Sequence, residues 1–248
     1  MSSSLRFLFI KKSKRIFNSL NLELDKLSPR SNPDLQLVCS LKKFQIDLVI
    51  DVGANEGQFV SEIRYFGYLG RVVSFEPLSN AYTKLHSASK RDMLWQVHPR
   101  CAIGDYDGEV DINVSNYSVS SSILSMSDIH LRAEPRSQYI AKEKVNIFKL
   151  DSVLHPYLKD SENRFLKIDT QGFESQVLDG CSQSLSLFKG ILCELSLVQL
   201  YQSQYLWKDV MARIEDNGFS LWAIQPGFVD PLDGRTLQVN AIFFRDEI

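Results

Sequence analysis

The stretch Asp47-Leu-Val-Ile-Asp51-Val-Gly53-Ala-Asn-Glu-Gly57-Gln-Phe-Val60 decides the fold of this chain. Leu48 to Val52 form a short apolar run that predicts a buried parallel strand, and a helical pattern begins at Phe59. Glycine lets the backbone approach a ligand closely, and a helix N-terminus offers unpaired N–H groups. Strand, glycine turn and helix in this order therefore predict a nucleotide-sized pocket.

The spacing of the glycines in this turn indicates which nucleotide is favoured. Gly53 and Gly57 follow a G-x-x-x-G pattern, whereas dinucleotide sites use G-x-G-x-x-G. Asp51 beside the turn would repel a pyrophosphate but attract a cationic or hydroxyl-rich ligand. S-adenosylmethionine, with its sulfonium, ammonium and ribose, is such a ligand. The alternative is a strand–helix joint that binds nothing.

Composition limits the class of protein. With 248 residues and 44% hydrophobic content, the chain can bury the core of one large α/β domain. The net charge of −2 and the lack of a long basic run in the body do not predict a nucleic-acid partner. The four cysteines have no zinc-binding spacing, so no metal site is predicted, and isolated thiols indicate a cytoplasmic protein. No apolar run reaches the ~18 residues that span a bilayer.

Residues 1–33 are predicted to be a basic amphipathic helix and linker, ahead of the main domain at 34–248. Five positive charges between Arg6 and Arg15 precede the first acid, Glu23, and leucines recur near one helical face. This pattern predicts one of two contacts. Residues 1–22 either lie on the inner face of an anionic membrane or pack on the domain or on a second subunit, as in a homodimer.

The second strand, Arg71 to Phe75, ends in Glu76 and Pro77. Glu76 lies 23 positions after Gly53. In doubly wound folds a carboxylate at this place accepts hydrogen bonds from both ribose hydroxyls of a nucleotide. Glu76 is therefore expected in the pocket.

The middle of the chain predicts a third strand and an insertion. Trp95 to Ile103 has a strand pattern, and Ala102 near its end is expected either to border the adenine or to be a small core residue. Glu109–Val114 and Val145–Leu150 are predicted to pair as extra strands. The long polar insert Ser115–Lys144 between them is interpreted as a lid over the pocket, with a flexible surface loop as the alternative.

Two further acids stand at or inside strand-like runs. Asp169 ends such a run, and the carboxyl ends of parallel strands meet at one crevice, so Asp169 is expected beside Asp51 and Glu76. Glu194 interrupts an apolar run, where a buried charge needs a partner. It is therefore expected either in the crevice or paired with an arginine or lysine.

The remaining elements complete an α/β domain. Asp151 is predicted to cap a short helix. A longer helix is predicted over Tyr201–Asn217 and stops at Gly218. Phe219–Gln225 and Gln238–Phe244 are predicted to close the domain as an antiparallel pair of strands.

Six motifs of the chain together form a recognisable pattern. They are Asp51-Val-Gly-Ala-Asn-Glu-Gly57, Phe75-Glu-Pro77, Ser120-Ser-Ser122, Leu150-Asp151, Leu166-Lys-Ile-Asp169-Thr-Gln-Gly172-Phe-Glu174 and Cys193-Glu-Leu195. This pattern resembles the FkbM family of S-adenosylmethionine-dependent methyltransferases, and the likeness runs from about Asp47 to Phe244. The family pattern often has Val-Glu-Gly-Ala-Glu where this chain has Thr170-Gln-Gly-Phe-Glu174.

The resemblance implies a Rossmann-like, doubly wound class I methyltransferase sheet of seven strands, with the last strand antiparallel. It implies methyl transfer to a hydroxyl, commonly of a sugar, glycan or secondary metabolite. It also implies that the glycine turn holds the methionine part of the donor, that Glu76 holds its ribose, and that Ser121 or Ser122 closes over it. The candidate donor-binding residues are Asp51, Gly53, Ala54, Asn55, Gly57, Glu76, Pro77, Ala102 and Ser122.

A hydroxyl acceptor needs a general base, and Asp169, Glu194 and His130 are the candidates. Two other functions compete with this hypothesis. A nicotinamide-dependent oxidoreductase also needs an acid near Glu76, although the absent third glycine argues against it. A non-catalytic module could keep the fold and use residues 1–30 to dock on a membrane or a glycan-assembly complex.

Overall fold

The computed structural model describes residues 25–245 continuously, and before them residues 10, 11, 13–15, 17, 19, 20 and 22. The N-terminal helix predicted from the sequence therefore falls partly outside the described residues. Within these limits, no helix combines the length and the apolar character that crossing a membrane requires.

Strands and helices alternate along the main domain. The strands are β1 (Leu48–Val52), β2 (Arg71–Phe75), β3 (Trp95–Val97), β4 (Ala102–Ile103), β5 (Gly108–Ser115), β6 (Tyr139–Phe148), β7 (Arg164–Ile168), β8 (Phe188–Ser196), β9 (Ser220–Pro226) and β10 (Gln238–Phe244). The helices are α1 (Pro33–Lys43), α2 (Gln58–Tyr65), α3 (Ser79–Ser89), α4 (Asp128–Ala133), α5 (Leu150–Val153), α6 (Glu174–Asp179) and α7 (Trp207–Asp216).

Seven strands form the central sheet in the order β3-β2-β1-β7-β8-β10-β9. Strands β1, β2, β3, β7 and β8 pair in parallel, whereas β10 is antiparallel to both β8 and β9. This arrangement confirms the predicted seven-stranded sheet with an antiparallel last strand. The strand order reverses between β1 and β7, where doubly wound folds open a ligand crevice at the carboxyl ends of the strands.

The core lies on both faces of this sheet, because side chains of a strand alternate in direction. Leu48 and Ile50 pack with Val177 of α6 and Ile214 of α7 on one face. On the other face, Val49 belongs to the cluster that contains residues of α1 and α2. Every residue of β1 is buried, as its apolar sequence predicts.

A second sheet has the order β4-β6-β5. Strands β5 and β6 pair antiparallel, which confirms the predicted extra strands. The single strand expected over Trp95–Ile103 was wrong: β3 joins the large sheet, whereas β4 pairs with β6 in the small one. The insert is also shorter than expected, because β6 already begins at Tyr139. It contains the short helix α4.

Two local predictions need correction. Helix α7 begins at Trp207, not at Tyr201, because the Gln204 side chain accepts hydrogen bonds from the N–H groups of Leu200 and Tyr201 and holds a turn there. Asp151 does not cap a helix. Its carboxylate instead accepts the N–H groups of Gln183 and Ser184, and so ties α5 to the loop before β8.

Gly180, at the end of α6, allows this helix to pack closely on the backbone that follows β4, and it generates a prediction about stability. A Cβ atom at this position would stand 1.8 Å from the carbonyl oxygen of Gly104, next to β4. We expect Gly180→Ala to lower the free energy of unfolding by about 3 kcal/mol, measured by urea denaturation, since the backbone must move to make room. Gly108→Ala in β5 is the control: its nearest neighbour, Tyr106, is 3.4 Å away, so a change within about 0.5 kcal/mol is expected. Equal losses in the two variants would contradict this account.

Candidate functional site

A cavity of about 630 Å³ lies at the carboxyl ends of the parallel strands, beneath the insert. Its walls come from the turn after β1, the end of β2, strand β4, the insert, and the ends of β7 and β8. The predicted site residues that line it are Gly53, Ala54, Asn55, Glu76, Pro77, Ala102, Ser122, His130, Asp169 and Glu194.

Asp51 is fully buried below this cavity and is not part of its wall. It pairs in register with Ser74 of β2 and Lys167 of β7. The Ser74 hydroxyl donates to Oδ2 of Asp51 at 2.9 Å, and the Nζ atom of Lys167 lies 3.1 Å from Oδ1. Of the three acids expected at one crevice, Glu76 and Asp169 line the cavity and Asp51 does not. Asp51 contacts the cavity wall through its ion pair with Lys167.

The two glycines of the turn have different surroundings. Gly53 has a φ of +78°, and a Cβ atom there would stand 1.8 Å from the carbonyl oxygen of Asp169, so only glycine allows the ends of β1 and β7 to approach so closely. Gly57 precedes α2 and packs against Trp95, whose ring a Cβ atom would meet at 2.5 Å. Gly57 lies outside the cavity wall, so the structure gives it a packing role.

Glu76 is 4% exposed and holds the turn from the β2 side. Its Oε2 accepts the N–H of Asn55 at 2.8 Å, and its Oε1 accepts the N–H of Leu78 at 2.8 Å. Burial raises the pKa of Glu76 to about 7, against the effect of these two hydrogen bonds. Each carboxylate oxygen has a further lone pair, so Glu76 can still accept hydrogen bonds from a diol.

Lys167 lines the cavity, although it was not among the site residues predicted from the sequence. Its Nζ atom donates to the carbonyl oxygen of Gly53 at 2.8 Å and lies 3.7 Å from Oδ2 of Asp169. Burial acts to lower the pKa of Lys167, but the charges of Asp51 and Asp169 outweigh it, and the pKa is raised. The available signal was a charged residue inside the apolar run Phe165-Leu-Lys-Ile168, because such a charge needs a partner.

Asp169 and Glu194 lie close together at the ends of β7 and β8. The Nε2 atom of Gln171 donates to Oδ1 of Asp169 and to Oε2 of Glu194, each at 2.8 Å. Gln238 of β10 donates a second hydrogen bond to Oε2 of Glu194, also at 2.8 Å. Of the two positions expected for Glu194, the structure shows the one in the crevice. The side chains that donate hydrogen bonds to Glu194 are the carboxamides of Gln171 and Gln238, and neither is an arginine or a lysine.

The electrostatic surroundings of Glu194 favour its neutral form. Burial, and then the nearby charges of Asp169 and Glu174, raise the pKa of Glu194 well above its usual range. Glu174 itself is buried and accepts the N–H groups of Thr170 and Gly172, so it shapes the turn after β7. In the described part of the chain, no group of three or more His, Cys, Asp or Glu side chains has an arrangement that could hold a metal ion.

His130 of α4 lies in the cavity wall and is 2% exposed. Its ring is 5.2 Å from the ring of Tyr201 and 5.3 Å from that of Phe228, measured between centroids. Its buried Nδ1 has no hydrogen-bond partner among the described residues. Burial lowers the pKa of His130 to about 4, so the imidazole is neutral at pH 7 and is a weak base.

The insert is fastened over the cavity by its serines. Ser122 donates to the carbonyl oxygen of Gln171 at 2.6 Å, and Ser118 lies 3.4 Å from Nδ2 of Asn55. Ser121 accepts the N–H of Ser115 at 2.9 Å, which closes the loop on itself. The insert therefore covers the turns after β1 and β7.

The Asp51–Lys167 ion pair generates a prediction about stability. Lys167→Met removes the cation and leaves a fully buried carboxylate without its counter-charge, so we expect the free energy of unfolding to fall by about 3–5 kcal/mol. The double variant Asp51→Asn/Lys167→Met removes both charges and should recover a large part of this loss. Urea denaturation of the single and double variants measures the coupling, and additive losses would contradict a buried ion pair.

Solved structures similar to this chain include two methyltransferases in complex with S-adenosylmethionine. Magnesium protoporphyrin IX methyltransferase (ChlM) from Synechocystis PCC 6803 is 10% identical, with a TM-score of 0.46 over 86% of this chain and 76% of that chain. Sp1610 from Streptococcus pneumoniae, a putative tRNA (m1A22) methyltransferase, is 10% identical, with a TM-score of 0.47 over 90% of this chain and 75% of that chain. No curated protein sequence matches this chain.

The sequence pattern of the methyltransferase FkbM domain matches residues 51–221. This range begins in β1 and ends in β9, so it contains the glycine turn, Glu76, the insert and both acids of the pair. The match decides against the nicotinamide-dependent oxidoreductase considered from the sequence. The chain belongs to the FkbM family of methyltransferases, which use S-adenosylmethionine as the methyl donor.

Proposed function

We propose that this protein is an O-methyltransferase that acts on a hydroxyl of a sugar, a glycan or a related hydroxylated metabolite. The observation that carries this proposal is the pair Asp169 and Glu194, which faces the same cavity as Glu76 and the glycine turn. Carboxyl groups able to bind and deprotonate a hydroxyl, close to a turn suited to a methyl donor, support this proposal.

The first half of the cavity fits the donor. Gly53 allows close approach to the backbone, and Glu76 has free lone pairs for the two ribose hydroxyls. Ala102, Ile103 and Phe173 give an apolar wall suited to an adenine ring. When bound there, S-adenosylmethionine supplies a methyl group on a sulfonium, which is a good leaving group.

The second half of the cavity fits a hydroxylated ring. Its wall contains the carboxylate of Asp34 from α1 and the amides of Gln225, Gln238 and Asn240 from β9 and β10. Hydrogen-bonding groups of both kinds can bind several hydroxyls at once. Phe228 adds an aromatic surface for the apolar C–H groups of a ring.

Asp169 is the residue best placed to accept the proton of the acceptor hydroxyl. A hydroxyl is a weak nucleophile near neutral pH and needs a base within hydrogen-bond reach. The Asp169 side chain is 35% exposed and lies 3.7 Å from the Nζ atom of Lys167, which stabilises its negative charge. The Glu194 carboxyl is more deeply placed, and the pKa of His130, lowered to about 4 by burial, makes the imidazole a poor base.

Methyl transfer from S-adenosylmethionine to a panel of monosaccharides, oligosaccharides and hydroxylated metabolites, followed by mass spectrometry, tests this function. We expect Asp169→Asn to lower turnover by about 100-fold or more while affinity for S-adenosylhomocysteine, measured by calorimetry, survives. Glu76→Ala should instead weaken that affinity by about tenfold or more, because it removes the carboxyl group that accepts hydrogen bonds from the ribose hydroxyls.

Asp111→Asn on the exposed part of β5 is the control and should change neither quantity. Near-normal turnover in Asp169→Asn would remove this residue from the reaction. A protein that binds S-adenosylhomocysteine but methylates no member of the panel would overturn the proposal and favour the non-catalytic docking module.

We also propose that the basic segment at residues 1–22 contacts an anionic membrane from the cytoplasmic side. Apolar side chains of this segment are exposed, with Ile10 at 45% and Leu20 at 64%, close to Lys11 and Arg15. Apolar and basic side chains together suit a surface of negatively charged lipids.

We expect the full chain to sediment with vesicles that contain phosphatidylserine and to be released by deletion of residues 1–22 or by high salt. Vesicles of neutral lipid are the control. No binding by the full chain, or a deletion that changes only the oligomeric state in light scattering, would overturn the membrane contact and favour packing on a second subunit.

A further inference from the structure

Gln171 connects the two acids of the site through a single atom. Its Nε2 lies 2.8 Å from Oδ1 of Asp169 and 2.8 Å from Oε2 of Glu194. Since one nitrogen reaches both oxygens, these oxygens lie within twice that distance of each other. The amide N–H groups point to the two carboxyl groups and occupy the space between them.

The Gln171 side chain is held from both sides. The Tyr201 hydroxyl donates to Oε1 of Gln171 at 2.8 Å, which leaves Nε2 directed at the acids. The backbone of Gln171 has a φ of +55°, a conformation that is costly for a residue other than glycine. Ser122 fastens it by donating to its carbonyl oxygen at 2.6 Å. A strained residue fixed by the insert and by Tyr201 indicates a functional constraint.

The charges around the pair are unequal. Lys167 faces Asp169 at 3.7 Å, but it also neutralises Asp51 at 3.1 Å. Glu174 lies near the pair and adds a further acid, whose pKa burial raises to about 7. The Tyr201 phenol is neutral, because burial raises its pKa far above the usual range. Among the described residues that line the cavity, Lys167 is the one lysine or arginine, so it serves several carboxyl groups, and a second ionised carboxylate in the pair would be costly.

The hydrogen bonds leave one oxygen of Glu194 available for a proton, and burial decides which acid of the pair carries it. Gln171 and Gln238 both donate to Oε2 of Glu194, and among the described residues no group hydrogen-bonds to its Oε1. Glu194 is also the more deeply buried acid, whereas the side chain of Asp169 is 35% exposed. Water stabilises a carboxylate better than a buried site does, so the proton belongs on Oε1 of Glu194.

We propose that Gln171 is a positioning residue that holds Asp169 and Glu194 as one pair with a single proton, carried by Glu194, while Asp169 is the carboxylate. The pair then offers one acceptor and one donor, which match two neighbouring oxygens of a polyol. In turnover, the O–H bond of the reacting hydroxyl breaks and its proton moves to Asp169. The oxygen uses the freed electron pair to bond the methyl carbon, while the bond from that carbon to the donor sulfur breaks and its electron pair stays on the sulfur. Glu194 donates a hydrogen bond to the adjacent oxygen. This role in turnover rests on the proposed function, whereas the location of the proton does not.

Infrared spectroscopy of the full chain tests the location of the proton without any acceptor. The carbonyl stretch of a protonated carboxyl group is recorded against pH, and each variant is compared with its own Glu194→Gln counterpart, which cancels the signals of Glu76 and Glu174. We expect a protonated carboxyl at pH 7 that is lost in Glu194→Gln. Gln171→Glu should raise its midpoint by about one pH unit or more, because a third carboxylate disfavours ionisation of its neighbours.

Asp169→Asn removes a neighbouring charge and should lower the same midpoint. Gln58→Glu, which adds a carboxylate to the cavity wall on α2, is the matched control and should leave it unchanged. If Gln171→Glu fails to fold, Gln171→Met removes both N–H donors and should also raise the midpoint, since the ionised form loses hydrogen bonds.

No protonated carboxyl at pH 7 in the wild type, or a midpoint unmoved by Asp169→Asn and by changes at position 171, would overturn the inference. A general loss of stability would not by itself shift this midpoint. If Gln171 had only a structural role, changes at position 171 would therefore leave the midpoint unmoved. The infrared result is separate from the acceptor panel. If Glu194 is protonated but no methyl transfer is found, only the proposed function is contradicted. If methyl transfer is found but Glu194 is not protonated, only the proposed role of the pair is contradicted.

Discussion

The site depends on an ion pair placed inside the central sheet, between Asp51 of β1 and Lys167 of β7. Burying either charge alone would be costly, and a pair in adjacent strands compensates this cost only with additional hydrogen bonds. Ser74 supplies one of them to Asp51, and the carbonyl oxygen of Gly53 accepts another from Lys167. The same lysine therefore balances the charge of Asp51, holds the glycine turn and lines the cavity.

Lys167 and burial together set the charge balance of the site. Lys167 lies 3.1 Å from Asp51 and 3.7 Å from Asp169, and it also acts to lower the pKa values of Glu76 and Glu194, where burial outweighs it. Glu76 and Glu194 both have raised pKa values, and burial is the main cause in each case. A cavity with one buried cation and several acids thus keeps some carboxyl groups neutral, and neutral carboxyl groups can donate hydrogen bonds as well as accept them.

Much of the fold and part of the site could be predicted, because they follow from local patterns and from the geometry of parallel strands. The run Leu48–Val52 identified β1, and acids at strand ends had to meet at one edge of the sheet, which brings Asp169 close to Glu194. The role of Gln171 was not predictable, since it depends on hydrogen bonds from Tyr201 and to Glu194, both distant in sequence. The start of α7 was missed for a similar reason, because no pattern reveals that the Gln204 side chain holds a turn.

The two halves of the cavity are constrained differently by the fold. The half that we propose for the donor is built from turns directly after β1 and β2, whose geometry is fixed by parallel pairing and by Gly53. The other half takes its wall from α1, the insert and the antiparallel strands β9 and β10, which contribute side chains but no shared backbone motif. We therefore expect substitutions there to alter the proposed acceptor site without disturbing the ion pair or the turn. Asp169 and Glu194 lie at the ends of β7 and β8, so the proposed chemistry is anchored to the rigid sheet, whereas the proposed acceptor wall consists of side chains from separate elements.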